Sequence, residues 1–172
     1  AFVAEFSRGK SELINSIFFA DYGRRIMPAS AGRTTMCPTE LGYDPAFAPS
    51  LRLLPIETRL QMQGLAEWRL KHDRWVEIPL DVNDADQIAK ALEKVAEIRR
   101  VSLDNARALG FWHDDLAEEN PVPDAEGMVE VPMWRHALIN IPHPLLKQGL
   151  VILDTPGLNA VGAEPELTVN LI

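Results

Sequence analysis

The run Ser7-Arg8-Gly9-Lys10-Ser11 constrains the fold more than any other feature of the chain. It lies between an apolar stretch, residues 1–6, that reads as a buried strand and a segment from 11 to about 20 with apolar residues at Leu13, Ile14, Ile17 and Phe18, which is helical spacing. A strand, a glycine-containing loop and a helix in that order form a phosphate-binding loop. Consecutive backbone N–H groups wrap the phosphates, and the helix adds the positive end of its dipole. In such a loop Lys10 reaches the terminal phosphates, the Ser11 hydroxyl binds magnesium, and Gly9 lets the backbone pass close to the anion. The usual pattern begins with Gly six residues before the Lys; Ala4 stands there, a change that removes no donor.

Two later segments fit the same chemistry. Residues 150–153 are an apolar strand ending at Asp154-Thr155-Pro156-Gly157. An Asp at the end of a buried strand near a phosphate loop can hold magnesium through a water, and the Gly157 N–H can sense the terminal phosphate. This Asp-x-x-Gly form differs from the Asp-Glu ending more usual in ATPases. Between the two lies Gly32-Arg33-Thr34-Thr35-Met36-Cys37-Pro38-Thr39. A loop threonine at that place can complete the magnesium shell and orient an attacking water. Each segment alone also reads as an ordinary turn or surface loop, and their chain order is what joins them.

Composition narrows the alternatives. With 17 basic and 25 acidic residues among 172, the net charge is −8, which argues against a mainly electrostatic nucleic-acid binder. A single cysteine, Cys37, excludes an internal disulfide and a multi-cysteine zinc site. No apolar run is long enough to span a membrane as a helix, and no signal peptide is evident. The absence of an initiator Met, and of a helix stop signal such as Gly or Pro at the closing Asn170-Leu171-Ile172, leads us to expect a piece of a longer polypeptide.

The rest of the chain gives coarser expectations. Residues 22–42 read as a turn-rich loop. Residues 51–58 read as an edge strand interrupted by Pro55, and 68–70 with 75–80 as a hairpin around His72-Asp73-Arg74. A long helix is predicted from a cap at Asp81 or Asn83 to about Leu109, with Gly110 as its stop. Its stripe would be Ile88, Leu92, Val95, Ile98, Leu103 and Ala106, with a break near Ser102 as the alternative. Residues 114–127 form an acidic loop; 136–141 and 150–153 read as a hairpin, and 165–172 as the start of a helix. His72, His113, His136 and His143 show no ligand spacing. Trp68, Trp75, Trp112 and Trp134 are expected in packing.

At residues 4–15 (AEFSRGKSELIN), 32–39 (GRTTMCPT) and 150–159 (LVILDTPGLN) the chain resembles the N-terminal part of a dynamin-like GTPase domain of the bacterial type. The resemblance implies an α/β fold of the P-loop NTPase type: a mostly parallel sheet with helices on both faces, an inserted hairpin and long helix, and an incomplete domain. The 144 residues from Lys10 to Asp154 accommodate an insertion of approximately 60–130, with no separate second domain. It further implies that Glu5, Phe6, Ser7, Arg8, Gly9, Lys10, Ser11, Glu12, Asp154 and Gly157 bind nucleotide. Ser11, Thr35 and Asp154 would hold Mg2+, and Ser7, Lys10, Thr35 and Gly157 would serve hydrolysis. Thr34 is the neighbour of the matching threonine. Phe6 stands where eukaryotic dynamins have Gln, and Arg8 is one position from an arginine that relatives use to offset phosphate charge. Leu158 and Asn159 come directly after the Asp-x-x-Gly segment, so no Gln or His positions water there.

The resemblance implies GTP binding and magnesium-dependent hydrolysis. It also implies a homodimer across the nucleotide, a cytoplasmic or membrane-peripheral location, and membrane contact only through parts outside this chain. No guanine-reading Asn/Thr-Lys-x-Asp occurs after Gly157; Leu70-Lys71-His72-Asp73 precedes Asp154, lacks the first residue type and is rejected. A nucleotide-gated scaffold with little hydrolysis and an ATP-using P-loop protein are the alternatives.

Overall fold

The computed structural model describes residues 2–3, 10–23, 26–27 and 37–154. In chain order the elements are β1 (Phe2–Val3), α1 (Lys10–Phe18), β2 (Thr39–Gly42), β3 (Ser50–Pro55), α2 (Leu65–Arg69), β4 (Val76–Pro79) and α3 (Ala85–Leu92). Next come β5 (Ile98–Ser102), α4 (Leu103–Leu109), β6 (Met128–Pro132), β7 (Trp134–Asn140), α5 (Pro144–Lys147) and β8 (Ile152–Asp154). Short 3-10 turns come after α1, β3, α2 and α3.

Six strands form one sheet in the order β1-β8-β2-β7-β3-β4. The sheet is mixed rather than mostly parallel: β1 with β8 and β2 with β7 are parallel, whereas β2–β8, β3–β7 and β3–β4 are antiparallel. Side-chain alternation sends Leu41, Leu51, Leu53, Ala137 and Ile139 to one face, where Ile14 and Phe18 of α1, Ile88 and Leu92 of α3 and Leu146 of α5 close the main core. Leu54, with Leu138 and Leu153, packs on the other face against Leu65, Trp68 and Trp75. The expected helices on both faces are present. Val101, Val129 and Val131 of the separate β5–β6 sheet join Ala106, Leu109, Phe111 and Ile56 in a third cluster.

Several local expectations are corrected. The long helix ends early: α3 stops at Leu92, a 3-10 turn carries Val95 into the core, and β5 comes next. Asp84, not Asp81 or Asn83, caps α3, its side chain accepting from the Gln87 N–H. The stripe misled because Ile98 continues the helical spacing of Leu92 and Val95 yet begins a strand. The partner that selects the strand, β6, lies about thirty residues on and is invisible to local periodicity. The predicted break at Ser102 does occur: Ser102 caps α4, which ends as expected at Gly110, held at φ 84°. That left-handed conformation is the one glycine adopts without strain.

Residues 39–42, read as loop, are β2. Their pattern hides because Glu40 takes an inward position. β3 is interior, between β7 and β4, and tolerates Pro55 because Pro55 ends the strand where the register shifts. The hairpin around residues 72–74 is instead α2 and a 3-10 turn, and β4 pairs with β3. Likewise β7 and β8 are no hairpin: α5 lies between them in sequence and β2 between them in the sheet. The predicted helix at 165–172 lies outside the described residues.

Leu13 and Ile17 of α1 face outward while Ile14 and Phe18 are buried. Replacing fully buried Leu53 by Ala is expected to cost about 2–5 kcal/mol, and Ile17→Ala under about 1 kcal/mol, in urea-unfolding experiments. Equal losses would contradict this assignment of the core.

Candidate functional site

The site is built around β8. β1 lies beside it in parallel, Phe2 opposite Ile152 and Val3 opposite Leu153. Asp154, one residue past that register, ends β8 at the same end of the sheet as the close of β1. On the other flank β2 runs antiparallel, with Thr39 opposite Asp154 and Glu40 opposite Leu153. The segment ending at Pro38 therefore enters the sheet level with Asp154. The end of β1, Asp154 and the start of β2 are thus brought to one end of the sheet by two strand pairings.

The loop after β1 runs into α1, whose first helical residues are Lys10 and Ser11. A helix's first N–H groups lie outside its own ladder and carry the positive end of its dipole, so this end suits an anion. Glu12 is exposed in that first turn. Glu5, Phe6, Ser7, Arg8, Gly9, Thr34, Thr35 and Gly157 lie outside the described residues. For Lys10 and Ser11 only the backbone is described. Among the described residues no group of three or more His, Cys, Asp or Glu side chains could hold a metal. A magnesium ion here would draw on oxygen donors such as the Asp154 carboxylate and on phosphate oxygens, a hard set that fits the ion.

Some residues that support this end of the sheet carried no sequence signal. Asn15 of α1 is buried; its Oδ1 accepts from the N–H groups of Ile26 and Met27 at 3.0 and 2.7 Å, and its Nδ2 donates to the Met27 carbonyl. It ties the chain leaving α1 back onto the helix. Cys37 is buried, with its Sγ 3.7 Å from the Val95 carbonyl, and burial pushes its thiol up to about 12, so it is a packing residue at neutral pH. Thr39 Oγ1 donates to the Cys37 carbonyl at 3.2 Å.

Glu40 was missed as well, because an acidic residue at an inward strand position breaks the apolar alternation. Its carboxylate accepts from both terminal nitrogens of Arg69 on α2, a bidentate pair. His136 of β7, fully buried, has Nε2 at 3.6 Å from Glu40 Oε2, an ion-pair distance too long for a hydrogen bond. Trp75 stands edge-on to the His136 ring. Burial pushes the Glu40 carboxyl up, but His136 and Arg69 beside it more than offset this and hold it down at about 2.

The family model described as the dynamin family matches residues 1–172. No curated protein matches the chain. Among the described residues no helix is long and apolar enough to cross a membrane.

The depressed Glu40 carboxyl has a consequence for stability. In the unfolded chain Glu40 takes up its proton near pH 4.5, in the folded chain near pH 2. The unfolded state therefore binds more protons across that window. The stabilisation is complete above about pH 5 and fades as pH falls toward about 2, on the order of 3 kcal/mol in total. Urea unfolding should show Glu40→Gln less stable than wild type at pH 7, with the gap closing below about pH 5. A gap independent of pH would contradict this assignment.

Proposed function

Since the chain belongs to the dynamin family, as part of its GTP-binding P-loop GTPase domain, we propose that it hydrolyses GTP with magnesium and pairs with a second copy across the nucleotide. The observation that supports this most is the strand register. Val3 pairs with Leu153 and Thr39 with Asp154, so the end of β1, Asp154 and the start of β2 share one end of the sheet, which supports a common site for the three motifs that adjoin them in sequence.

In this reading the backbone of residues 5–9 and the start of α1 wrap the phosphates, and Lys10 contacts the β- and γ-phosphates. Ser11, Thr35 and Asp154 hold magnesium, which when bound neutralises charge on the phosphate oxygens. Thr35 stands four positions before Thr39, and its carbonyl orients the attacking water. Water attacks the γ-phosphorus, the bond to the β–γ bridging oxygen breaks, and GDP leaves with inorganic phosphate. The Gly157 N–H senses the γ-phosphate, and Ser7 lines the active site. Catalysis consists of positioning and electrostatic stabilisation of the phosphoryl group rather than covalent chemistry. Residues 60–130 form an insertion in one domain. The location is cytoplasmic or peripheral to a membrane, with lipid contact made by parts of the protein outside this chain.

Multiple-turnover phosphate release by the full-length protein, at high protein concentration in potassium buffer, tests the reading. Wild type should turn over GTP and not ATP. Lys10→Ala should lose at least about a hundredfold in GTP affinity, because the β- and γ-phosphates lose their cation. Thr35→Ala should lower kcat at least about tenfold while GDP affinity holds, because the threonine acts on the γ-phosphate and water. Tight GTP binding with phosphate release at background would contradict hydrolysis and favour a nucleotide-gated scaffold. Unchanged binding by Lys10→Ala would contradict the site.

A further inference from the structure

We propose that Glu40 is a positioning residue for the γ-phosphate-sensing segment, and that Arg69 makes its setting accessible from the protein surface. The inference rests on the proposed hydrolysis for its meaning, and its geometry is independent of it. β2 has four residues and begins directly after Pro38. It is also the strand that aligns Asp154, through Thr39, and borders β7, through Glu40 opposite Leu138. A slip or tilt of β2 therefore moves the exit of the threonine segment and the flank of Asp154 together.

Register is weakly specified in so short a strand unless its two faces differ strongly. In β2 they do: Leu41 enters the main core, while Glu40 turns to the opposite face and meets Arg69 and His136. A one-residue slip would pull the carboxylate from Arg69 and take Leu41 out of the main core. The surroundings there are otherwise apolar: Leu54, Leu65, Trp68 and Trp75, with Leu138 and Leu153. A partly buried ion pair in such surroundings contributes little net stability compared with an apolar replacement, and the best-attested use of such a pair is to fix register. The three charged or titratable groups come from three elements, β2, β7 and α2. The Arg69 side chain is 42% exposed whereas that of Glu40 is 18% exposed. The guanidinium is therefore the solvent-facing end of the pair, and Glu40 is the end in β2, opposite Leu153 and next to the residue that pairs with Asp154.

The test compares wild type, Glu40→Gln, Arg69→Gln, Arg69→Lys, the double variant Glu40→Gln/Arg69→Gln and, as a packing control on the same face, Leu65→Ala, all in the full-length protein. Two quantities are read: the kcat for GTP, and the ratio of affinities for GTPγS and GDP, which needs no turnover. Glu40→Gln and Arg69→Gln are each expected to lower kcat and the ratio at least threefold with GDP affinity within twofold. Arg69→Lys should restore part of the loss, and the double variant should lose no more than the worse single. Leu65→Ala should lower the unfolding midpoint and leave the ratio unchanged. Both variants retaining the wild-type ratio, losses that multiply in the double variant, or the same ratio change in Leu65→Ala would each overturn the proposal. If wild type binds GTP without hydrolysing it, hydrolysis falls and the ratio alone judges Glu40. If wild type binds no GTP, both fall.

Discussion

Everything at the site depends on the hydrogen bonding of one three-residue strand, β8. It takes β1 in parallel on one side and β2 antiparallel on the other. The parallel pairing matters most. It points the carboxyl ends of β1 and β8 the same way, so that the chain leaving β1 and the Asp154 carboxylate come out side by side. In open α/β sheets the space beyond the strand carboxyl ends is where ligands bind, because loops and helix N-termini converge there. β2, running the other way, feeds the threonine segment into the same place from the opposite direction.

The packing keeps that arrangement fixed. α1, α3 and α5 cover one face and α2 covers the other, so the six-stranded sheet is held from both sides. Polar anchors then set the connections. Asn15 holds the chain as it leaves α1, and Asn140 binds the carbonyls of Asp44, Phe47 and Ala48. The small β5–β6 sheet stands apart with its own apolar cluster and a rim of ion pairs: Arg99 with Glu57, Arg100 with Asp124 and Glu126, Arg107 with Asp104 and Asp114. Exposed pairs of this kind are individually worth little. They organise part of the acidic excess without tying it to the phosphate site.

The sequence made some of this legible and hid the rest for physical reasons. Motif chemistry is local, so residues 7–11, 32–39 and 154–157 pointed to the family the chain belongs to, and the helix of Leu13 to Phe18 and the glycine at 110 were legible for the same reason. Strand partners are non-local. The spacing of Val95 and Ile98 satisfied a helix until β6 supplied hydrogen bonds to β5, and the separation of β7 from β8 by β2 had no local trace. Glu40 was hidden twice, first because β2 is four residues long and then because its inward residue is charged. The Glu40, His136 and Arg69 group comes from positions 40, 136 and 69, and only the fold assembles it.

The proposed function has Asp154 and the residues before α1 serve one magnesium-nucleotide site. Calorimetric titration of the full-length protein with GTP, with and without magnesium, tests this most directly when wild type is compared with Asp154→Ala. One GTP should bind per chain, with an affinity that magnesium raises at least tenfold in wild type but not in Asp154→Ala. The same magnesium enhancement in both proteins would contradict a shared site.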